Sequence, residues 1–143
     1  MLSKFQTTSN ATEDPMSDPL VLVTINTINP GQLDRVKELS ARFSERIEES
    51  HTGLLAFNFY LNDAETEVSN VQVHRDAASL EAYLPLAQQM IAEALELTRT
   101  KSIQVYGTPG PITQQVLRMN AEQGADVNVT ANRIRGFTRS TSS

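Results

Sequence analysis

Apolar and polar residues alternate in four segments of the chain, residues 21–27, 54–61, 68–74 and 102–106, and two longer stretches between them carry apolar residues at helical spacing. Successive strand residues point to opposite faces of a sheet. The odd positions are almost all apolar: Val21, Val23, Ile25, Leu55, Phe57, Phe59, Leu61, Val71, Val73, Ile103 and Val105. The even positions are largely polar but uncharged: Thr24, Asn26, Asn58, Tyr60, Asn70, Gln72, His74, Ser102, Gln104 and Tyr106. A sheet face in plain water usually carries Lys and Glu. Amides, hydroxyls and one imidazole suit partial burial, each group hydrogen-bonded. The even face is therefore expected to line a pocket or a subunit interface.

The first helix is predicted over residues 32–50, with Leu33, Val36, Leu39 or Ser40, Phe43 and Ile47 as its stripe. Its many charges fall outside that stripe and form a solvated face. Asp76 is a natural N-cap for a second helical region carrying Leu80, Tyr83 and Leu84. Pro85 is expected to interrupt it, and a further helix to run over residues 86–97 with Met90, Ile91, Ala94 and Leu97 buried. The order β-α-β-β-α-β is the ferredoxin-like arrangement, an α+β fold with helices on one face of an antiparallel sheet. Helices need an apolar sheet surface, and packing logic gives them the odd face. The polar even face is then left for a second copy of the chain, as a homodimer.

Beyond Gly107, Pro111 is well placed to open a short helix, residues 112–123, striped by Ile112, Val116 and Met119 and stopped by Gly124. A fifth strand follows at 127–131, which Arg133 to Phe137 could continue. The organisation expected is a disordered arm (1–18), a ferredoxin-like domain (19–107) and a helix–strand extension (108–139) that braces the dimer.

Composition narrows the function. A chain of 143 residues fits one core-forming domain, and its net charge of −5 opposes nonspecific nucleic-acid binding. No apolar run approaches the ~18 residues a membrane span needs. Residues 1–18 lack the pattern of a secretory or transit peptide, so a cytoplasmic location is expected. With no cysteine and two histidines, neither a thiolate nucleophile nor a transition-metal site is expected.

Several short markers carry a family resemblance over residues 20–106. They are Asn29-Pro30-Gly31-Gln32, then Glu48-Glu49-Ser50-His51-Thr52-Gly53-Leu54-Leu55, Asn62-Asp63, and Asp76-Ala77-Ala78-Ser79-Leu80-Glu81-Ala82-Tyr83. In this order the chain resembles the antibiotic biosynthesis monooxygenase-like domains of the dimeric α+β barrel superfamily. The tail Gly136-Phe137-Thr138-Arg139 is similar to an extension of some uncharacterised members. The resemblance implies a homodimer whose sheets form a barrel, and a pocket for a flat aromatic substrate between sheet and helices, on even positions. It implies oxidation of quinols or polyketide aromatics by dioxygen without metal or flavin in some members, and haem degradation in others. This chain departs from the haem-degrading pattern. His74 stands where such members carry tryptophan, Thr24 near their strand-one asparagine, and Tyr83 where the superfamily commonly has histidine.

Cofactor-free oxygenation needs a base that ionises the aromatic substrate and a dry, orienting site. His74 is the candidate base by residue type. Asn26, Asn58, Tyr60, Asn70, Gln72, Tyr83, Gln104 and Tyr106 are candidates to bind the substrate. His51 is expected at the surface, beside the first helix's C-terminus. Arg133, Arg135 and Arg139 are expected to pair with acidic groups of a neighbouring helix or subunit or to stay solvated; the alternative is that they bind an anionic ligand. No cofactor is expected. The function indicated is a monooxygenase-like protein that oxidises or binds a small aromatic or quinol-type molecule. The alternative is a noncatalytic ligand-binding or stress-response dimer. A cavity of ~300 Å³ or more with polar groups converging at His74 favours the enzyme.

Overall fold

The computed structural model describes residues 18–139. The expected arm, Asp18 apart, and the last four residues lie outside the described residues. The element order is β1 (Leu20–Ile28), α1 (Leu33–Ser50), β2 (Leu54–Leu61), β3 (Glu67–His74), α2 (Ala77–Leu97), β4 (Thr98–Tyr106), α3 (Pro111–Glu122) and β5 (Asp126–Thr130). The five strands lie in the order β2-β3-β1-β4-β5. The first four are antiparallel, and β5 joins β4 in parallel at the far edge. This is the ferredoxin-like α+β arrangement, with one added edge strand.

Two local expectations fail for physical reasons. Pro85 lies inside an unbroken α2 and does not divide it. Leu80, Tyr83, Ala87, Met90 and Leu97 form one buried stripe through it, so packing outweighs the ~3 kcal/mol cost of an interior proline. Helix α3 buries Thr113 and Leu117, whereas Ile112 and Met119 of the expected stripe are exposed. Asp76 does cap α2, its side chain accepting from the Ser79 N–H at 2.9 Å. Residues 133–137 do not extend β5.

The larger correction concerns the sheet faces. The helices cover Leu20, Leu22, Thr24 and Asn26 of β1 and Asn70, Gln72 and His74 of β3, all even positions. On β2 and β4 the covered residues are the odd ones, Phe57, Phe59, Ile103 and Val105. Cross-strand register shows why. Leu22 pairs with Gln72, which pairs with Phe57, and Leu22 also pairs with Val105. Irregularities in β2 near Leu55 and in β4 near Lys101 switch parity within those strands. The polar even positions of β1 and β3 are therefore covered, while those of β2 and of β4 beyond its bulge face outward.

What faces outward is a central apolar stripe, Val21, Val23, Ile25, Val71 and Val73, all half-buried. Asn58 and Tyr60 flank it on β2, and Gln104 and Tyr106 on β4. On the helix side, Phe43 packs against Phe57 and Phe59 with ring centroids 5.2 and 5.9 Å apart, and stacks on Tyr83. Among the described residues no helix is long and apolar enough to cross a membrane.

Candidate functional site

A cavity of about 190 Å³ lies between the sheet and all three helices. Its wall is mostly apolar, built by residues such as Leu22, Leu39, Phe43, Leu80, Ile91 and Leu117. A line of polar side chains interrupts that wall along the sheet: Thr24 and Asn26 from β1, Asn70 and Gln72 from β3. Tyr83 joins them from α2. The volume is below the ~300–1,000 Å³ common for drug-sized ligands and suits a compact one.

Behind this wall runs a hydrogen-bond relay, buried at His74 and reaching the surface at Asn58. His74 has no exposed surface. Its Nδ1 lies 2.7 Å from the Ser79 hydroxyl and its Nε2 lies 2.8 Å from Gln72 Oε1. The Gln72 oxygen can only accept, so Nε2 carries the proton and Nδ1 accepts from the hydroxyl. Gln72 Nε2 donates to Asn70 Oδ1 at 2.6 Å, and Asn70 Nδ2 donates to the Asn58 carbonyl at 3.3 Å. His51 closes the other end. Its Nε2 donates to the Ser79 carbonyl at 2.8 Å and lies 3.2 Å from the Ser79 hydroxyl. His51 is thus half-buried and engaged, not a free surface residue.

Electrostatics follow from this burial. Desolvation, reinforced by the nearby His51, pulls the His74 pKa down to about 4. The ring is neutral at pH 7, as the relay requires. Burial pushes the Tyr83 phenol well above its usual range, with the Gln72 amide beside it opposing the shift. Among the described residues Tyr83 is the one titratable side chain on the cavity wall, and none of them brings a carboxylate, imidazole or amine to it. Asn26 Nδ2 donates to the Thr98 hydroxyl at 2.9 Å, while its buried Oδ1 finds no partner among the described residues. An uncompensated buried acceptor is costly and is a recurrent mark of functional surfaces.

The structure thus divides the candidates. Asn26, Asn70, Gln72 and Tyr83 meet at the cavity. His74 stands one hydrogen bond behind it. Asn58, Tyr60, Gln104 and Tyr106 line the outer sheet face instead. Sequence reasoning missed the part played by Ser79 and His51. Their signal was the Asp76 cap, which places Ser79 in the first turn of α2 under the end of β3. It also missed Glu81.

Glu81 of α2 holds the third helix over the cavity. Its carboxylate accepts from the Thr113 hydroxyl at 2.6 Å, the Thr113 N–H at 2.7 Å and the Ile112 N–H at 3.3 Å. These N–H groups are unsatisfied donors of the α3 N-terminus, where negative charge is favoured. Burial works to raise the Glu81 pKa, and the three donated bonds outweigh it and hold the carboxyl below its ordinary value. A Cβ at Gly110 would sit 2.8 Å from Glu81 Cδ, so glycine permits the approach. Glu81→Ala is expected to cost α3 about 1–2 kcal/mol of local stability. Hydrogen exchange should then quicken roughly tenfold in α3 and stay unchanged in α1. The hold is present at neutral pH and is lost as pH falls through the lowered carboxyl pKa.

This architecture is the α+β fold of antibiotic biosynthesis monooxygenase-like domains. The solved structure of MupZ from Pseudomonas fluorescens is similar to it with a TM-score of 0.65 at 21% identity. The match covers 85% of this chain and 94% of that one. So broad a match reaches past β4 into the extension. A Bacteroides thetaiotaomicron protein, provisionally named an antibiotic biosynthesis monooxygenase, matches with a TM-score of 0.55 at 13% identity, over 63% of this chain and 87% of that one. One from Chloroflexus aurantiacus, provisionally named likewise, matches with 0.51 at 19%, over 64% and 94%. No family profile and no curated protein matches the chain in sequence.

Proposed function

We propose that this protein binds a compact aromatic molecule of the phenol or quinol class in the cavity between sheet and helices. The observation that carries this reading is the cavity itself: an apolar chamber with one polar wall, held rigid from behind by the His74 relay. A ring fits the apolar part, and its hydroxyls meet Asn26, Asn70, Gln72 and Tyr83. His74 is then a positioning residue that fixes Gln72. Both its ring nitrogens are engaged, and a carboxamide stands between it and the ligand.

Oxidation by dioxygen is the reaction that the fold and the provisional names of its neighbours point to. For a quinol, one oxygen atom enters a ring C–H as a hydroxyl. The other leaves as water with two hydrogens taken from the substrate, which becomes a hydroxyquinone. No external reductant is needed. With no near-neutral base on the wall, such turnover depends on the substrate's own ionisation. Oxygen uptake should therefore rise with pH along the pKa of each phenol tested. A profile fixed near pH 6.5 for every substrate would instead restore an enzyme base. The wall's lack of a base also favours a second reading, a noncatalytic binding protein. Saturable binding with no oxygen uptake across the panel would select it.

The outer sheet face supports homodimerisation. Its apolar centre and polar, aromatic rim have the anatomy of a protein interface, and Tyr60 and Tyr106 are 58% and 50% exposed. Asn58, Tyr60, Gln104 and Tyr106 then serve the interface. Val23→Glu, at the centre of the stripe, is expected to give a folded monomer by sedimentation equilibrium. An unchanged dimer would reject this face. The cytoplasm is the compartment we assign.

A further inference from the structure

The tail beyond β5 leaves two large apolar side chains in solvent. Ile134 is 98% and Phe137 is 77% exposed. The same segment, residues 131–139, carries Arg133, Arg135 and Arg139 and no acidic residue. Arg133 is turned back onto the Gly136 carbonyl, and Arg139 lies over the Phe137 ring at 4.8 Å. The tail is thus a short cationic and apolar segment whose two large apolar side chains stay exposed among the described residues.

At the opposite edge of the sheet an open groove runs between α1 and β2. Ala41, Ser44 and Ile47 form one side, and Leu55, Phe57 and Phe59 the other. Strand β2 is an edge strand with one side unpaired. Glu48 lines the groove, and Glu49 and Glu45 lie beside it in the chain. The last turn of α1 holds no basic residue, and the helix C-terminus adds its own negative partial charge. Among the described residues these three glutamates make no ion pair; the two ion pairs are Arg42–Glu93 and Lys101–Glu67.

We infer that the tail of one copy docks in the α1–β2 groove of a second copy, with Ile134 and Phe137 against its apolar walls and the arginines toward Glu45, Glu48 and Glu49. The inference rests on the sheet-face dimer proposed above. Strand β5 lies about four strand spacings, ~19 Å, from β2 in the same sheet, so a chain's own tail leaves from the wrong edge. A two-fold axis parallel to the strands stacks the partner's β5 edge over this β2 edge, ~10 Å away. Nine extended residues span up to ~30 Å and reach the groove from there.

The absence of native cysteine makes the test clean. Ser44→Cys and Thr138→Cys are prepared as separate full-length variants, one carrying a mass tag, then mixed and mildly oxidised. The expected product is a disulfide between the two variants, with little formed by either alone. In the double variant the disulfide should join two chains. An intramolecular disulfide, or none between the mixed variants, overturns the docking. Sedimentation equilibrium supplies the second measurement. Ile134→Ser with Phe137→Ser is expected to raise the dimer dissociation constant about a hundredfold. Glu45→Lys, Glu48→Lys and Glu49→Lys together should weaken the dimer, and adding Arg133→Glu, Arg135→Glu and Arg139→Glu should restore it. A wild-type chain that stays monomeric rejects the dimer and the docking together. A dimer indifferent to these changes rejects the docking alone.

Discussion

His74→Ala is expected to lose about 4 kcal/mol of folding stability at pH 7.5, measured by urea unfolding. The imidazole has no exposed surface, so its removal leaves a void that the close-packed interior only partly fills. It also strands the Ser79 hydroxyl and Gln72 Oε1, at about 1–3 kcal/mol for each buried group left unpaired. The wild-type protein should show a matching pH dependence. In the unfolded chain the imidazole takes up its proton near pH 6.5, while in the folded protein it resists until about pH 4. The unfolded state therefore binds more protons across this window, and stability falls as pH drops through it. The loss approaches about 3 kcal/mol at the acid end. This slope should vanish in His74→Ala. An unchanged stability in the variant would mean that the relay does not support the site. Activity lost in His74→Ala would therefore not by itself identify a base.

Ala94→Phe should abolish ligand binding while leaving the fold intact. Ala94 lies on the cavity side of α2, partly buried among apolar neighbours. A phenyl group there occupies the space offered to a ligand ring. Binding is expected to weaken at least about a hundredfold. The added apolar burial offsets much of the overpacking cost, so folding stability should change by less than about 2 kcal/mol. Calorimetric titration and urea unfolding of the same variant separate the two effects. Retained affinity would place the ligand elsewhere.

The element order was legible because each strand alternates and each long helix carries one apolar stripe. Asp76 announced the start of α2 through its cap. What misled was the pooling of parity across strands. Alternation is local, and each connection or bulge resets it. Near Leu55 and Lys101 the register shifts, so Phe57 and Ile103 share a face with Leu22 and Gln72. A valine stripe on β1 and β3 looked like core because one subunit offers no other use for it. Gln72 and His74 were assigned by packing logic to the face left for a second copy because their partners, Ser79 and Tyr83, come from a helix distant in the pattern. Asn26, Asn70 and Gln72, which line the cavity, were nevertheless present among the polar alternates. Asn26, Asn70, Gln72 and His74 are covered and hydrogen-bonded, as read, whereas Asn58, Tyr60 and Tyr106 of the same parity are exposed. Glu81 left no such signal, since one glutamate on a helix resembles any solvated charge until α3 is seen beside it.

The most direct test of the account is a methyl NMR titration with a panel of phenols and quinols, comparing wild type with Ala94→Phe. Saturable shifts are expected, confined to cavity methyls such as those of Leu22, Leu39, Leu80, Ile91 and Leu117 and absent from the variant. Shifts confined to the outer stripe of Val21, Val23 and Val71, or none across the panel, would contradict it.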